Sequence, residues 1–178
     1  MTPDERETLL AIAKDAVAAT VGNRPLPPPP PLTPALEAAG AAFVTLRCEG
    51  DLRGCIGHTE AREPLWKCVQ DMAAAASERD SRFTPVAPHE LPRLTIGISV
   101  LTPMRPARAE EVEVGRHGLY LRLGRATGLL LPQVAVEWGW DRAEFLRQTC
   151  RKAGLAPDAF LDPRCECFVF EADVFGAE

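Results

Sequence analysis

Leu52-Arg53-Gly54-Cys55-Ile56-Gly57, with His58 directly after it, is the segment whose residue types and spacing most suggest chemistry. Glycines weaken a strand, so two of them inside one mark a bulge or a close approach by a ligand or another backbone. A thiol between them, with a guanidinium two positions earlier, is a candidate nucleophile, because a neighbouring cation favours the reactive thiolate. The competing reading is a small hydrophobe buried in a bent strand, since free cysteines pack readily. A second charged cluster, Glu78-Arg79-Asp80-Ser81-Arg82-Phe83, reads by itself as a solvated loop at a helix exit. A third, Val114-Gly115-Arg116-His117-Gly118, stands at a hairpin entrance, where His117 is either a general base or ligand, or a loop histidine with no task. Activation of a thiol requires its base within about 3 Å, a proximity that chain order does not specify. There is no Ser-centred nucleophile elbow, no phosphate-binding P-loop and no HExxH zinc motif.

The other cysteines, at positions 48, 68, 150, 165 and 167, form no CxxC pair of the kind zinc sites use. Cys165-Glu166-Cys167 would place two thiols on one face of a strand, where they more often pack than bind metal. The cysteines therefore supply no metal ligands by their spacing, and the residues leave any metal requirement or cofactor unassigned. The chain has 178 residues, with 20 Lys+Arg against 25 Asp+Glu and a formal charge of -5. This length supports one domain, or one domain with a lobe, with a core that needs no disulfides. The acidic balance argues against nucleic-acid binding, which needs a basic face. Arginine supplies 17 of the 20 basic residues, a bias shared with abundant Ala, Pro and Gly and so attributed to base composition rather than to anion recognition. No apolar run approaches the roughly 18 residues of a membrane span. Asp4, Glu5, Arg6 and Glu7 replace the apolar core of a secretion signal, so a cytoplasmic protein in a reducing compartment is expected.

Elements to position these groups are readable from periodicity. Thr2-Pro3-Asp4-Glu5 is a helix start with Thr2 at the N-cap and Glu5 at N3, and Leu9, Leu10, Ala13, Ala16, Val17 and Val21 continue it until Gly22-Asn23. The prolines at 27–31 read as a stiff spacer, with a polyproline II ligand as the alternative. A strand over 41–47, a turn at Glu49-Gly50-Asp51 and a partner strand over 52–57 form a hairpin that carries Cys55. A helix runs from Pro64 to about Glu78. Leu94, Ile96, Ile98 and Val100 alternate as a strand, and Leu119–Leu123 with Leu129–Leu131 make a second hairpin. Asp141 and Glu144 open a helix that ends at Gly154, and Phe168, Phe170 and Val174 mark a last strand. The interspersed helices and hairpins indicate an α+β fold on a largely antiparallel sheet with flanking helices.

LRGCIG at 52–57 also resembles the signature hexapeptide of the AMMECR-type domain family. Further blocks follow in the family's order: Asp80-Ser81-Arg82-Phe83, Glu90 to Leu94, Val114-Gly115 with His117-Gly118-Leu119, Leu131 to Ala135, Gly139-Trp140-Asp141 and Arg151 to Gly154. The likeness spans about residues 5–175 and is strongest to bacterial and archaeal members of the AmmeMemoRadiSam system. It implies one α+β unit of two unequal lobes with a cleft lined by LRGCIG: a large lobe over about 1–104 and 135–178, and a smaller β-rich lobe over about 105–134. Carried over residue by residue, it makes Cys55, His117 and Asp80 the candidate catalytic residues. Arg53, Gly54, Ile56, Gly57, His58, Arg82, Phe83 and Gly118 become candidate substrate-binding residues. His58 departs from the threonine usual at that position, and would act as a local base or merely end the strand. The family has no established activity. Its name implies a Memo-like protein and a radical S-adenosylmethionine enzyme as partners, with a small molecule as the possible ligand. A redox or thiol enzyme acting through Cys55 is one expectation; a non-catalytic adaptor that presents a ligand or loop to those partners is the other.

Overall fold

Helix α1 (Pro3–Val21) begins where the capping box predicts. Glu5 N–H donates to the Thr2 hydroxyl at 3.3 Å, and Thr2 N–H donates back to the Glu5 carboxylate at 2.9 Å. Its stripe of Leu9, Ile12, Ala13, Ala16 and Val17 is buried. The prolines that follow run as coil, tied down where the Gln70 side-chain amide donates to the Pro27 carbonyl at 2.8 Å. After the short α2 (Pro34–Glu37), β1 (Ala39–Cys48) and β2 (Asp51–Gly57) form the expected hairpin through Glu49 (φ 54°) and Gly50 (φ 94°). A two-residue β3 (Glu63–Pro64) leads into α3 (Leu65–Glu78), and β4 (Leu94–Leu101) returns alongside β1. The remaining elements are β5 (Arg105–Pro106), β6 (Gly118–Leu123), β7 (Ala126–Leu130), α4 (Pro132–Glu137), α5 (Arg142–Lys152), β8 (Glu166–Phe170) and β9 (Ala172–Gly176). This computed structural model describes residues 1–176.

The chain folds as two units. The first comprises Met1–Leu101 with the described residues 173–176. Its sheet runs β2-β1-β4-β9, with β3 paired to the start of β1. The inner face of this sheet packs Val44, Leu46 and Ile98 against Leu9, Ala16 and Val17 of α1 and Val69, Met72, Ala73 and Ala76 of α3. Each fully buried Leu, Val or Ile contributes about 1.5–3 kcal/mol. An exposed ion pair contributes about 0–1, so this layer, not the surface charges, holds the unit together. The second unit, Thr102–Ala172, has its own sheet in the order β5-β8-β6-β7 and its own core around Leu119, Leu121, Phe145, Leu146 and Val169.

Two expectations change. The lobe expected over 105–134 is part of a longer unit, 102–172, in which α5 packs on β6 and β7. A side chain at Gly128 of β7 would overlap the Thr149 carbonyl of α5. Positions 177 and 178 of the expected large lobe lie outside the described residues. The single last strand is two strands in different sheets. At Glu171 the backbone leaves β8, its carbonyl accepting Thr102 N–H and its N–H donating to the Thr102 hydroxyl, both at 2.8 Å, and β9 then joins β4. Alternation of apolar residues carries no mark of such a change of partner.

Gly54 is the tightest point of helix–sheet packing: a Cβ there would overlap the carbonyl oxygen of Ala76 in α3. Overpacking of this kind costs about 1–3 kcal/mol. Gly54→Ala is therefore expected to lower the unfolding free energy measured by urea titration by that amount, and an unchanged free energy would show that α3 does not approach β2 so closely.

Candidate functional site

The hairpin register determines where the LRGCIG side chains go. Cys48 pairs with Asp51 and Arg47 with Leu52, but Leu46 pairs with Gly54, leaving Arg53 as the extra residue of a β-bulge. Beyond the bulge, Gly54 and Ile56 face α3 and the main core, opposite Leu46 and Val44. Cys55 stands on the other face, opposite Thr45, whose hydroxyl lies 3.3 Å from the thiol sulfur. Gly97 of β4 is next in the same row across the sheet, so no side chain crowds Thr45 from that side. Cys55 is half-buried. At Gly57 the ring of Phe43 covers the position a Cβ would take. Both glycines thus admit close approach by the protein's own atoms.

Strand β2 ends its sheet order, so the backbone polar groups on its outer side lack a strand partner. Asp80 and Arg82 supply one at Cys55. The Cys55 N–H donates to Asp80 Oδ2 at 2.8 Å, and the Arg82 guanidinium reaches the Cys55 carbonyl at 3.4 Å. The two side chains are joined to each other, Arg82 donating to both carboxylate oxygens at 2.9 and 2.7 Å. Asp80 is buried while Arg82 is exposed, its guanidinium lying over the Phe83 ring at 5.4 Å. The Arg82 hydrogen bonds hold the Asp80 carboxyl far below the usual carboxylate range, aided by the Cys55 N–H and opposed by burial. A carboxylate bound so firmly positions backbone and is a poor proton acceptor at neutral pH.

Arg53 turns away from the thiol. Its guanidinium forms a two-point pair with Glu90, at 2.8 and 3.0 Å, and donates to the carbonyls of Thr84 and Pro85 at 2.7 and 3.1 Å. The bulged residue thereby fastens the loop between α3 and β4 to the sheet edge. Arg53 holds Glu90 down to about 2, with help from the Ala87 N–H. His58 is exposed, and its N–H continues the β1 ladder by donating to the Ala42 carbonyl at 3.1 Å.

His117 and Gly118 belong to the second unit. The imidazole is only 2% exposed; the Glu113 N–H donates to Nδ1 at 3.1 Å, and Nε2 lies 3.5 Å from the Arg105 guanidinium. A Cβ at Gly118 would overlap the Phe170 ring. Both residues therefore have a packing role within their own unit. Burial pushes the thiols of Cys68, Cys150 and Cys165 up, and that of Cys167 up to about 11, which disfavours thiolate at all four. Among the described residues, no three His, Cys, Asp or Glu side chains converge as a metal site, and no helix is long and apolar enough to cross a membrane.

The structure thus brings Cys55, Asp80, Arg82 and Phe83 together, with Arg53 beside them on the same edge. Thr45 and Glu90 are the participants that sequence reasoning missed. Glu90 was visible only as part of a block, and Thr45 was hidden by the bulge. A regular hairpin continued from Cys48–Asp51 would have paired Thr45 with Gly54.

A family model described as AMMECR1 matches residues 10–175. A curated protein of Methanothermobacter thermautotrophicus is 43% identical, covering 98% of this chain and 95% of its own length. A second, from Thermococcus gammatolerans, is 44% identical over 97% of this chain and 90% of its own. The crystal structure of an uncharacterized protein from Pyrococcus horikoshii superposes with a TM-score of 0.93 at 36% identity, covering all of this chain and 94% of that one.

Folding lowers the pKa of Asp80 and Glu90, from ordinary values near 3.8 and 4.5. The stability these carboxylates contribute is present above about pH 4.5 and is lost as pH falls towards 2. Urea titrations across that window are expected to show a falling midpoint, with a shallower decline in Asp80→Asn and Glu90→Gln. Identical slopes in wild type and both variants would refute the coupling.

Proposed function

This chain belongs to the AMMECR1 family, and from that premise we propose that it acts through Cys55 as a thiol site on a sheet face. The site would serve redox- or radical-linked chemistry on a small molecule in the cytoplasm, with a Memo-like protein and a radical S-adenosylmethionine enzyme as partners. The observation that carries the reading is the treatment of Cys55 itself. Its N–H and C=O are both engaged by the Asp80–Arg82 pair, and its half-buried sulfur sits beside the Thr45 hydroxyl. Preorganisation of one residue's backbone in this way favours a precise side-chain position. In this reading Asp80 and Arg82 position the thiol, Arg53 and Glu90 fix the adjoining loop, and a proton acceptor for Cys55 comes from substrate or partner.

Alkylation of the full-length chain with iodoacetamide, followed by peptide mass spectrometry, tests the thiol role. With the Memo-like protein and the radical enzyme added, Cys55 is expected to react faster than a model thiol with a pKa of about 8.5, and Arg82→Gln to slow it several-fold. A Cys55 that reacts no faster than the model thiol would remove the nucleophile reading.

A second reading, a non-catalytic adaptor, is favoured by the commitment of Arg53, Asp80 and Arg82 to structural hydrogen bonds. Pull-downs against the two partners discriminate: an adaptor is expected to retain them equally with wild type and Cys55→Ser. Loss of capture with Cys55→Ser would tie association to the thiol and count against a purely adaptor role. Gly57→Val is unsuitable as a probe, because its side chain would collide with Phe43.

A further inference from the structure

Lys14 is the lysine of α1, and the residues three and four positions away on either side are Leu10, Ala11, Val17 and Ala18. No carboxylate on the helix is placed to pair with it. Its exposed side chain stands at a groove of about 320 Å³ on the first unit, walled on one side by Leu10 and Val17 and on the other by Leu91, Leu94 and Ile96. Leu10, Leu91, Leu94 and Ile96 pack against the main core yet remain only partly buried. The core is therefore open here, and apolar surface stays in contact with water that a ligand would favourably displace.

We infer that this groove binds a medium-chain aliphatic carboxylate, its chain lying between α1 and β4 and its carboxylate on Lys14. Two observations select that class. The walls offer hydrocarbon, and the one cation among the groove's described lining residues is Lys14, so the complementary ligand is apolar with a single negative end. At about 30 Å³ for each water-sized group, the volume accommodates about ten non-hydrogen atoms, the size of octanoate. Gly176 of β9 also lines the groove, where a side chain would overlap the Ile96 carbonyl. The site is separate from Cys55 and independent of the function proposed for it.

Isothermal titration of the full-length protein with octanoate and with the neutral octanamide tests the inference. Wild type is expected to bind one octanoate saturably. Lys14→Gln is expected to weaken octanoate about three- to fivefold, as loss of one partly exposed ion pair would, and to leave octanamide unchanged. Ala18→Phe, which fills the groove from the helix side, is expected to abolish both titrations while keeping a cooperative thermal transition. Should that variant fail to fold, the octanoate–octanamide contrast in Lys14→Gln decides alone. Absence of saturable octanoate binding would overturn the inference, as would equal weakening of both ligands in Lys14→Gln.

Discussion

The close approach of α3 to β2 at Gly54 is the constraint on which the candidate site depends. Because the Ala76 carbonyl occupies the space of a missing Cβ, the helix lies flat on the sheet and its exit arrives beside the free edge of β2. Asp80, two residues past the end of α3, is thereby within reach of the Cys55 N–H. The adjacent bulge sends Arg53 towards the loop rather than along the sheet. With Gly54 and Ile56 committed to the core side, Cys55 must project from the opposite face. This packing contact and the adjacent bulge thus account for the orientation of Arg53 to Ile56.

Electrostatics then lock what packing positions. The carboxylates of Asp80 and Glu90 each hold an arginine through two hydrogen bonds, and such charge-assisted, two-point pairs add direction as well as energy. Elsewhere the same device joins neighbouring strands, as where Arg122 of β6 clasps Glu166 of β8 at 2.6 and 2.9 Å. Arginine in this chain is a structural fastener at the strand edges. Lys14, surrounded on its helix by apolar residues, stands apart from that pattern.

Much of the fold was legible because its signals are local. The Thr2–Glu5 box, the Leu94–Val100 alternation and the Leu119–Leu131 hairpin each record a backbone preference within a few residues. The α5 start was equally plain, although only half of its expected box forms: Asp141 accepts Glu144 N–H, while the Glu144 side chain binds Gln148 and Arg151 instead. What stayed hidden involves partners distant in the chain. The division of the final strand at Glu171 and the assignment of α5 to the second unit depend on which sheet a segment joins, and no residue pattern within the segment specifies that.

The sequence alone determined most of the longer elements, the acidic character and the identity of the segment that bears Cys55, because periodicity, composition and an ordered set of motifs are properties of residues near one another in the chain. Tertiary structure decided the roles around that cysteine. Arg53 reads in sequence as the thiol's activating neighbour, yet the bulge delivers it to Glu90. Asp80 reads as a proton carrier, yet Arg82 and the edge of β2 bind it as a positioning group. Thr45, ten residues away, becomes the sulfur's neighbour. The outcomes at Arg53 and Thr45 rest on a one-residue shift in strand register, which exchanges the two faces of the sheet, and that at Asp80 on a contact between elements distant in the chain.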